Sequence, residues 1–149
     1  MLSRQASHAL KALLELAARP LEWQSTHALA IAQQLPEPML EQLLLRLRRA
    51  GLLDGKRGRL GGYRLTRPAR EISMEQILAG LGETLKESAN RSATSEPASS
   101  PADQVTHALQ LRLERVRLKA LAELSLEDLL FDLRSAVAGS DSEGGLMLG

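Results

Sequence analysis

No cysteine occurs among the 149 residues. Its absence excludes disulfides, Cys-ligated zinc, Cys-ligated iron–sulfur clusters and thiol catalysis. Aromatic residues are nearly missing too: Trp23, Tyr63 and Phe131 are the only three. The core must therefore be aliphatic, built mostly from Leu and Ala, a composition that favours helices. No apolar run approaches the ~18–20 residues that a membrane span needs. The opening stretch MLSRQASHALKALLELAARP has no contiguous apolar segment and carries Arg, Lys and Glu at helical spacing. It reads as a helix and not as a secretory signal. The expectation is a cytoplasmic protein with no membrane partner.

What is present is enough for a globular core, with 44% hydrophobic and 25% charged residues. The net charge of +1 hides a division. Residues 1–70 hold 12 Lys/Arg and 5 Asp/Glu, a net of +7; residues 71–149 hold 7 and 13, a net of −6. A basic half joined to an acidic half points to a polyanion-binding module attached to something that should not bind polyanion. Chance clustering of solvated charges is the bland alternative, and the spacing of residues has to decide between them.

The spacing predicts a mainly α architecture. Ala6, Ala9, Leu10, Leu13, Leu14 and Ala17 predict a helix over 3–18, with Ser3 as its cap and Pro20 as its stop. A short linker holding Trp23 follows, and Ser25 or Thr26 caps a short second helix through Gln34. Leu35-Pro36-Glu37-Pro38 breaks the chain, and Pro38 suits the first turn of a third helix that runs to Ala50, with Gly51 ending it. That helix buries Leu40, Leu43, Leu44 and Leu47 and turns Glu41, Gln42, Leu45, Arg46, Arg48 and Arg49 outward. Two short strands follow, 52–56 and 62–66, joined by an arginine-bearing, Gly-rich turn. Ser73 and Gln76 fit a capping box for a helix to about Leu81. A flexible loop is expected at 83–103, Ser/Ala/Pro-rich from 86 on. A long helix from 103 to 124 carries Val105, Leu109, Leu113, Val116 and Ala120 as an apolar stripe. Ser125-Leu126-Glu127-Asp128 repeats the capping-box pattern ahead of a last helix at 126–137, and a disordered tail begins at Gly139. The organisation expected is thus a winged helix-turn-helix domain at 1–82, the loop, dimerisation helices at 104–138 and the tail.

Helix, short helix, prolyl turn, helix and two-stranded ribbon, in that order, describe a winged helix-turn-helix, a fold suited to duplex DNA. A helix with a polar outer face fits the major groove. Glu41 can accept from a cytosine amino group and Gln42 can pair with adenine. Arg46, Arg48 and Arg49 lie where phosphates would be met, and Arg57 and Arg59 occupy a tip that a narrow minor groove attracts. The candidate DNA-binding residues are Pro38, Glu41, Gln42, Arg46, Arg49, Arg57, Arg59 and Arg64. Taken singly, Glu41 and Gln42 are also readable as plain surface residues, and the Gly-Arg turn as a solvated hairpin. A phosphate loop at Gly58–Gly62 is the weaker reading, because no Lys-Ser/Thr follows and no helix starts there. No nucleophile–base pair, paired carboxylates or metal-ligand set stands out, so neither an enzyme nor a metal or other cofactor is expected.

The blocks Leu40-Glu41-Gln42-Leu43-Leu44, Leu47-Arg48 with Ala50-Gly51-Leu52, and Arg57-Gly58 with Gly61-Gly62-Tyr63-Arg64-Leu65 resemble the Rrf-two family of bacterial winged-helix transcription regulators. His8 to Leu13, Glu71 to Leu78, Thr106 to Leu109 and Leu124 to Leu129 resemble it as well, so the likeness spans about residues 2–130. The resemblance implies a homodimer on a palindromic operator, packed through the long helix. It also implies that Glu41 and Gln42 fall where the family reads bases and that Arg57 falls where it enters the minor groove. A small-molecule or protein effector is a further implied partner. Two departures matter. The family wing reads Arg-Gly-Pro-Gly-Gly-Gly-Tyr, whereas here Arg59 and Leu60 replace the Pro and one Gly. Cluster-binding members carry three cysteines ahead of the long helix, whereas this chain has none and Gln104 stands near the last such position. His107, which matches a cluster ligand in some relatives, is read as a surface or packing residue. A winged helix acting only through a protein partner is the alternative function.

Overall fold

The computed structural model describes residues 2–83 and 100–147, the last seven of these by backbone alone. Helix α1 (Arg4–Ala18) starts where Ser3 accepts from the Ala6 N–H at 3.0 Å. Helix α2 (Thr26–Gln33) is capped in the same way by Ser25, not Thr26, and ends on Gln34 in the left-handed conformation at φ 54°. That cap turns the chain sharply into Leu35-Pro36 and so into α3 (Glu37–Arg49). Pro38 sits in the first turn of α3, where a missing N–H removes no helical bond.

The wing is an antiparallel pair, β1 (Leu53–Lys56) and β2 (Gly62–Leu65), with Leu53 opposite Leu65 and Lys56 opposite Gly62. A 3-10 turn (Ala69–Glu71) leads to α4 (Met74–Gly80), whose capping box joins Ser73 and Gln76 as their spacing predicts. Two long helices complete the chain, α5 (Pro101–Glu123) and α6 (Leu126–Met147).

One aliphatic core holds the elements from α1 to α4 together. Leu13 and Leu16 of α1, Leu29 of α2, Leu40, Leu43, Leu44 and Leu47 of α3, and Ile72 and Ile77 around α4 are all fully buried or nearly so. Every stripe residue expected for α3 is among them. Leu121 near the end of α5 packs half-buried against this core, and the start of α6 joins it through Leu126 and Leu130. It is held there by a short antiparallel bridge in which Met74 donates to the Leu124 carbonyl and Leu126 to that of Ile72, both at 2.8 Å. At the α5–α6 junction Ser125 and Asp128 form the second capping box that the sequence predicts, each donating a backbone N–H to the other's side chain.

Two boundaries differ markedly from the sequence reading. The expected loop at 83–103 lies largely outside the described residues, but Pro101 to Asp103 are the first turn of α5, because Ser100 accepts from the Asp103 N–H and Pro101 suits a helix start. The last helix does not stop at 137; it runs on to Met147 across the stretch expected to be a disordered tail, since no proline interrupts it and Ser140 donates back to the Ala136 carbonyl. The stripe on α5 finds no cover among the described residues: none of its residues is buried, and Val105, Leu113 and Val116 are 60–69% exposed.

Candidate nucleic-acid interface

Two parallel rows of side chains run along the outer side of α3. Pro38, Gln42, Arg46 and Arg49 recur at helical spacing and are all exposed. Glu41, Leu45 and Arg48 form the neighbouring row, turned toward the wing, where they line a cleft of about 380 Å³. Lys56, Arg57 and Arg59 line its other side, so with Arg48 four cations and one carboxylate line the cleft. None of these cations makes an ion pair among the described residues. A concave strip with unpaired guanidinium groups and a helix beside it is shaped and charged for a polyanionic ligand.

Several of the expected contact residues are already engaged within the fold. Glu41 accepts from the Thr26 hydroxyl of α2 through one carboxylate oxygen and from the Tyr63 hydroxyl of the wing through the other, at 3.0 Å. Burial, the hydrogen bond to Glu41 and that carboxylate's charge together raise the Tyr63 pKa above its ordinary value, against a smaller opposing effect of Arg48. Tyr63 therefore remains a neutral donor to Glu41. Arg48, read from the sequence as a phosphate contact, lies across the wing: its Nε is 3.0 Å from where a Cβ on Gly55 would stand. Arg64 stacks on Trp23 with its guanidinium carbon 4.2 Å from the ring centroid, and Lys56 approaches the same ring at 5.7 Å. Arg46 reaches toward Gln5 of α1 at 3.5 Å, a distance at which little is lost if it turns away. Gln42, Arg49, Arg57 and Arg59 point outward with no hydrogen bond or ion pair among the described residues.

The wing is thus fastened to the helix-turn-helix at three points. Beside the Glu41–Tyr63 bond and the Trp23–Arg64 stack, the backbone of Gln24 pairs with Tyr63 like a third strand, with N–H to carbonyl distances of 3.0 and 2.8 Å. Gly62 makes that approach feasible: at φ +140° a Cβ there would meet the Gln24 carbonyl oxygen at 2.3 Å. Sequence reasoning placed Trp23 in a plain linker and gave Thr26 only a capping role. The helical spacing of Glu41, Leu45 and Arg48 was the available sign of a second row, but nothing local to Trp23 or Thr26 marks their distant partners.

Comparison with known proteins agrees with this geometry. Residues 2–132 match the Rrf2 family, described as iron-dependent transcriptional regulators. The HTH-type transcriptional regulator slr0846 of Synechocystis is 38% identical over 135 residues, which cover 90% of each chain. The HTH-type regulator IscR of Cereibacter sphaeroides is 39% identical over 87 residues, 56% of each. Among solved structures, CymR, the global cysteine regulator of B. subtilis, superposes with a TM-score of 0.70 at 28% identity, covering 87% of this chain and 95% of its own. IscR of T. potens gives 0.66 at 30% identity, covering 91% and 90%. With the family model matching nearly the whole chain and the winged-helix architecture shared with these regulators, the protein belongs to the Rrf2 family of DNA-binding transcription regulators.

Proposed function

We propose that this protein is a sequence-specific regulator that binds a palindromic operator as a homodimer and does so without an iron–sulfur cluster. The cation-lined cleft between α3 and the wing is the observation that carries the DNA contact. In this reading Pro38, Gln42, Arg46 and Arg49 form the row that enters the major groove. Gln42 is the base reader, and the arginines sit over phosphates. Arg57 and Arg59 at the wing tip go to the flanking minor groove. Glu41 keeps free lone pairs beside its bonds to Tyr63 and Thr26, so it can hold the wing and still accept from a cytosine amino group, while Arg64, stacked on Trp23, acts chiefly by setting the angle of the wing.

The homodimer reading is supported by α5. Val105, Leu109, Leu113 and Val116 recur at helical spacing and are each more than half exposed in the single chain. A contiguous apolar strip of this length on a soluble helix calls for a partner, and a second copy offers the same strip in return. Two recognition helices would then lie about 34–36 Å apart, one turn of duplex.

The family description names iron, but these residues do not suit an iron–sulfur cluster. Such clusters are held by thiolates, and the sequence has no cysteine. Among the described residues no three His, Asp or Glu side chains gather as a metal site, and His107 stands exposed on α5. A signal to this regulator would have to come by other means, a small molecule or a protein, unless it senses none.

Binding to duplex DNA measured over a range of salt tests the reading. A steep fall in affinity with salt is expected, since each neutralised phosphate releases counterion, and Arg49→Ala should flatten the log–log slope by about one. A flat salt dependence would contradict it and favour a winged helix that works through a protein partner.

A further inference from the structure

Leu60 stands at the outermost corner of the wing. Beyond the last strand pair, Lys56 with Gly62, the chain turns through Arg57-Gly58-Arg59-Leu60-Gly61. The Gly61 N–H donates to the Gly58 carbonyl at 3.1 Å, which makes Arg59 and Leu60 the two central residues of a β-turn. The turn leaves little latitude: a Cβ on Gly61 would lie 2.0 Å from the Lys56 carbonyl oxygen, and Gly58 has φ +105°. These two glycines fix a tight corner that holds Leu60 outward, 83% exposed, directly after Arg59 and three residues after Arg57, both of which are also exposed and unpaired among the described residues.

A lone exposed leucine on an open surface is ordinary. This one is different because of what flanks it. Arginines in a slender exposed tip are drawn to the negative potential of a narrow minor groove, and Arg57 and Arg59 would bring Leu60 with them to the edge of the base stack. Neither guanidinium nor phosphate has a use for an isobutyl group there; a base step that can open does. Aliphatic side chains that enter the minor groove part neighbouring bases and bend the duplex toward the major groove.

We propose that Leu60 is an apolar wedge that parts a base step in the minor groove beside each half-site and bends the DNA. This rests on the DNA-binding reading above and adds to it a deformation of the duplex. Pyrimidine–purine steps unstack most readily, so the wedge selects such a step at a position where no side chain forms a hydrogen bond to a base.

The test uses duplexes enriched by the full-length wild-type chain from a randomised pool. The bend is read by energy transfer between end labels, and unstacking by 2-aminopurine fluorescence at the flanking steps. Leu60→Gln keeps the size of the side chain and removes its apolar character. Because Leu60 is exposed, thermal unfolding should not change, which separates a wedge from a folding defect. The wild type should bend its duplex and brighten the probe at a flanking pyrimidine–purine step. Leu60→Gln should lose the bend and about five- to tenfold of the preference for that step, the low end of what one mismatched base pair costs, while keeping the salt slope. Arg59→Ala should do the reverse, lowering the salt slope and keeping the probe signal. Equal bending and equal step preference in wild type and Leu60→Gln would overturn the wedge alone. Failure of the wild type to enrich any duplex would overturn the DNA-binding reading, and the wedge with it.

Discussion

The first 83 residues and the two C-terminal helices use the same aliphatic alphabet to opposite ends. In α3 the leucines at 40, 43, 44 and 47 are at most 1% exposed. In α5 leucines and valines at similar spacing lie open to solvent. The contrast extends to charge, basic in the first half and acidic in the second. A core that is complete within one chain has its whole folding stability available to the monomer. A stripe that is exposed in one chain contributes only when a second surface covers it, and so its contribution depends on concentration. The basic half is left free for a polyanion, while the acidic half, carrying the uncovered stripe, repels one.

The sharpest way to break this comparison is to make one chemical change in both regions. Leu44→Ala should cost about 2–5 kcal/mol in denaturant unfolding, the range for a fully buried leucine, at every protein concentration. Leu113→Ala should leave the dilute protein's unfolding nearly unchanged and lower its stability only where the protein is concentrated. Equal losses from the two would mean that α5 is part of the monomer's core.

Next in size is the pair Leu113→Asp with Val116→Asp. It removes two apolar side chains from the shared strip, each worth about 1.5–3 kcal/mol of burial, and puts charges there. The dimer dissociation constant should rise at least a hundredfold in analytical ultracentrifugation, with the far-ultraviolet circular dichroism of the winged helix retained.

Within the basic half, Tyr63→Phe removes the hydroxyl that Glu41 accepts from. A hydrogen bond to a charged group contributes about 1.5–3 kcal/mol at most, and at this half-buried carboxylate the lower end is expected. The larger consequence is a looser wing, read as faster amide exchange at Gly62 and Arg64 than in the wild type. Unchanged exchange would remove the Thr26–Glu41–Tyr63 link from the account of wing placement.

The smallest effect is at the junction of α5 and α6. The backbone N–H of Ser125, and then its hydroxyl, hold the Asp128 carboxyl below its ordinary value of 3.8. A folded pKa depressed in this way contributes stability that is present above the unfolded value and is lost as pH falls through the folded one. Helix content of α6 should therefore decline as acid titrates this cap, and Asp128→Asn should flatten that part of the curve.

Much of this was legible in the chain. The three caps at Ser3, Ser73 and Ser125, the buried stripe of α3 and the ribbon with its glycines are local patterns, set by residues three or four apart, and they appear in the structure as read. The wing's attachment was not legible. Glu41 meets Thr26 and Tyr63 across 15 and 22 residues, and Arg64 meets Trp23 only because the Gln24 backbone joins the sheet. Such contacts depend on how elements pack, which no short-range spacing encodes. The candidate contact residues divided for the same reason. A helical wheel turns both rows of α3 outward, and only the folded wing distinguishes the row it faces from the row left free.

The most direct test of the central claim is selection of duplexes from a randomised pool by the full-length protein, followed by sequencing. The account predicts an inverted repeat whose half-site centres are about one helical turn apart, lost when Leu113→Asp and Val116→Asp separate the dimer. A single unrepeated site, or no enrichment at all, would contradict a regulator built from two winged helices joined through α5.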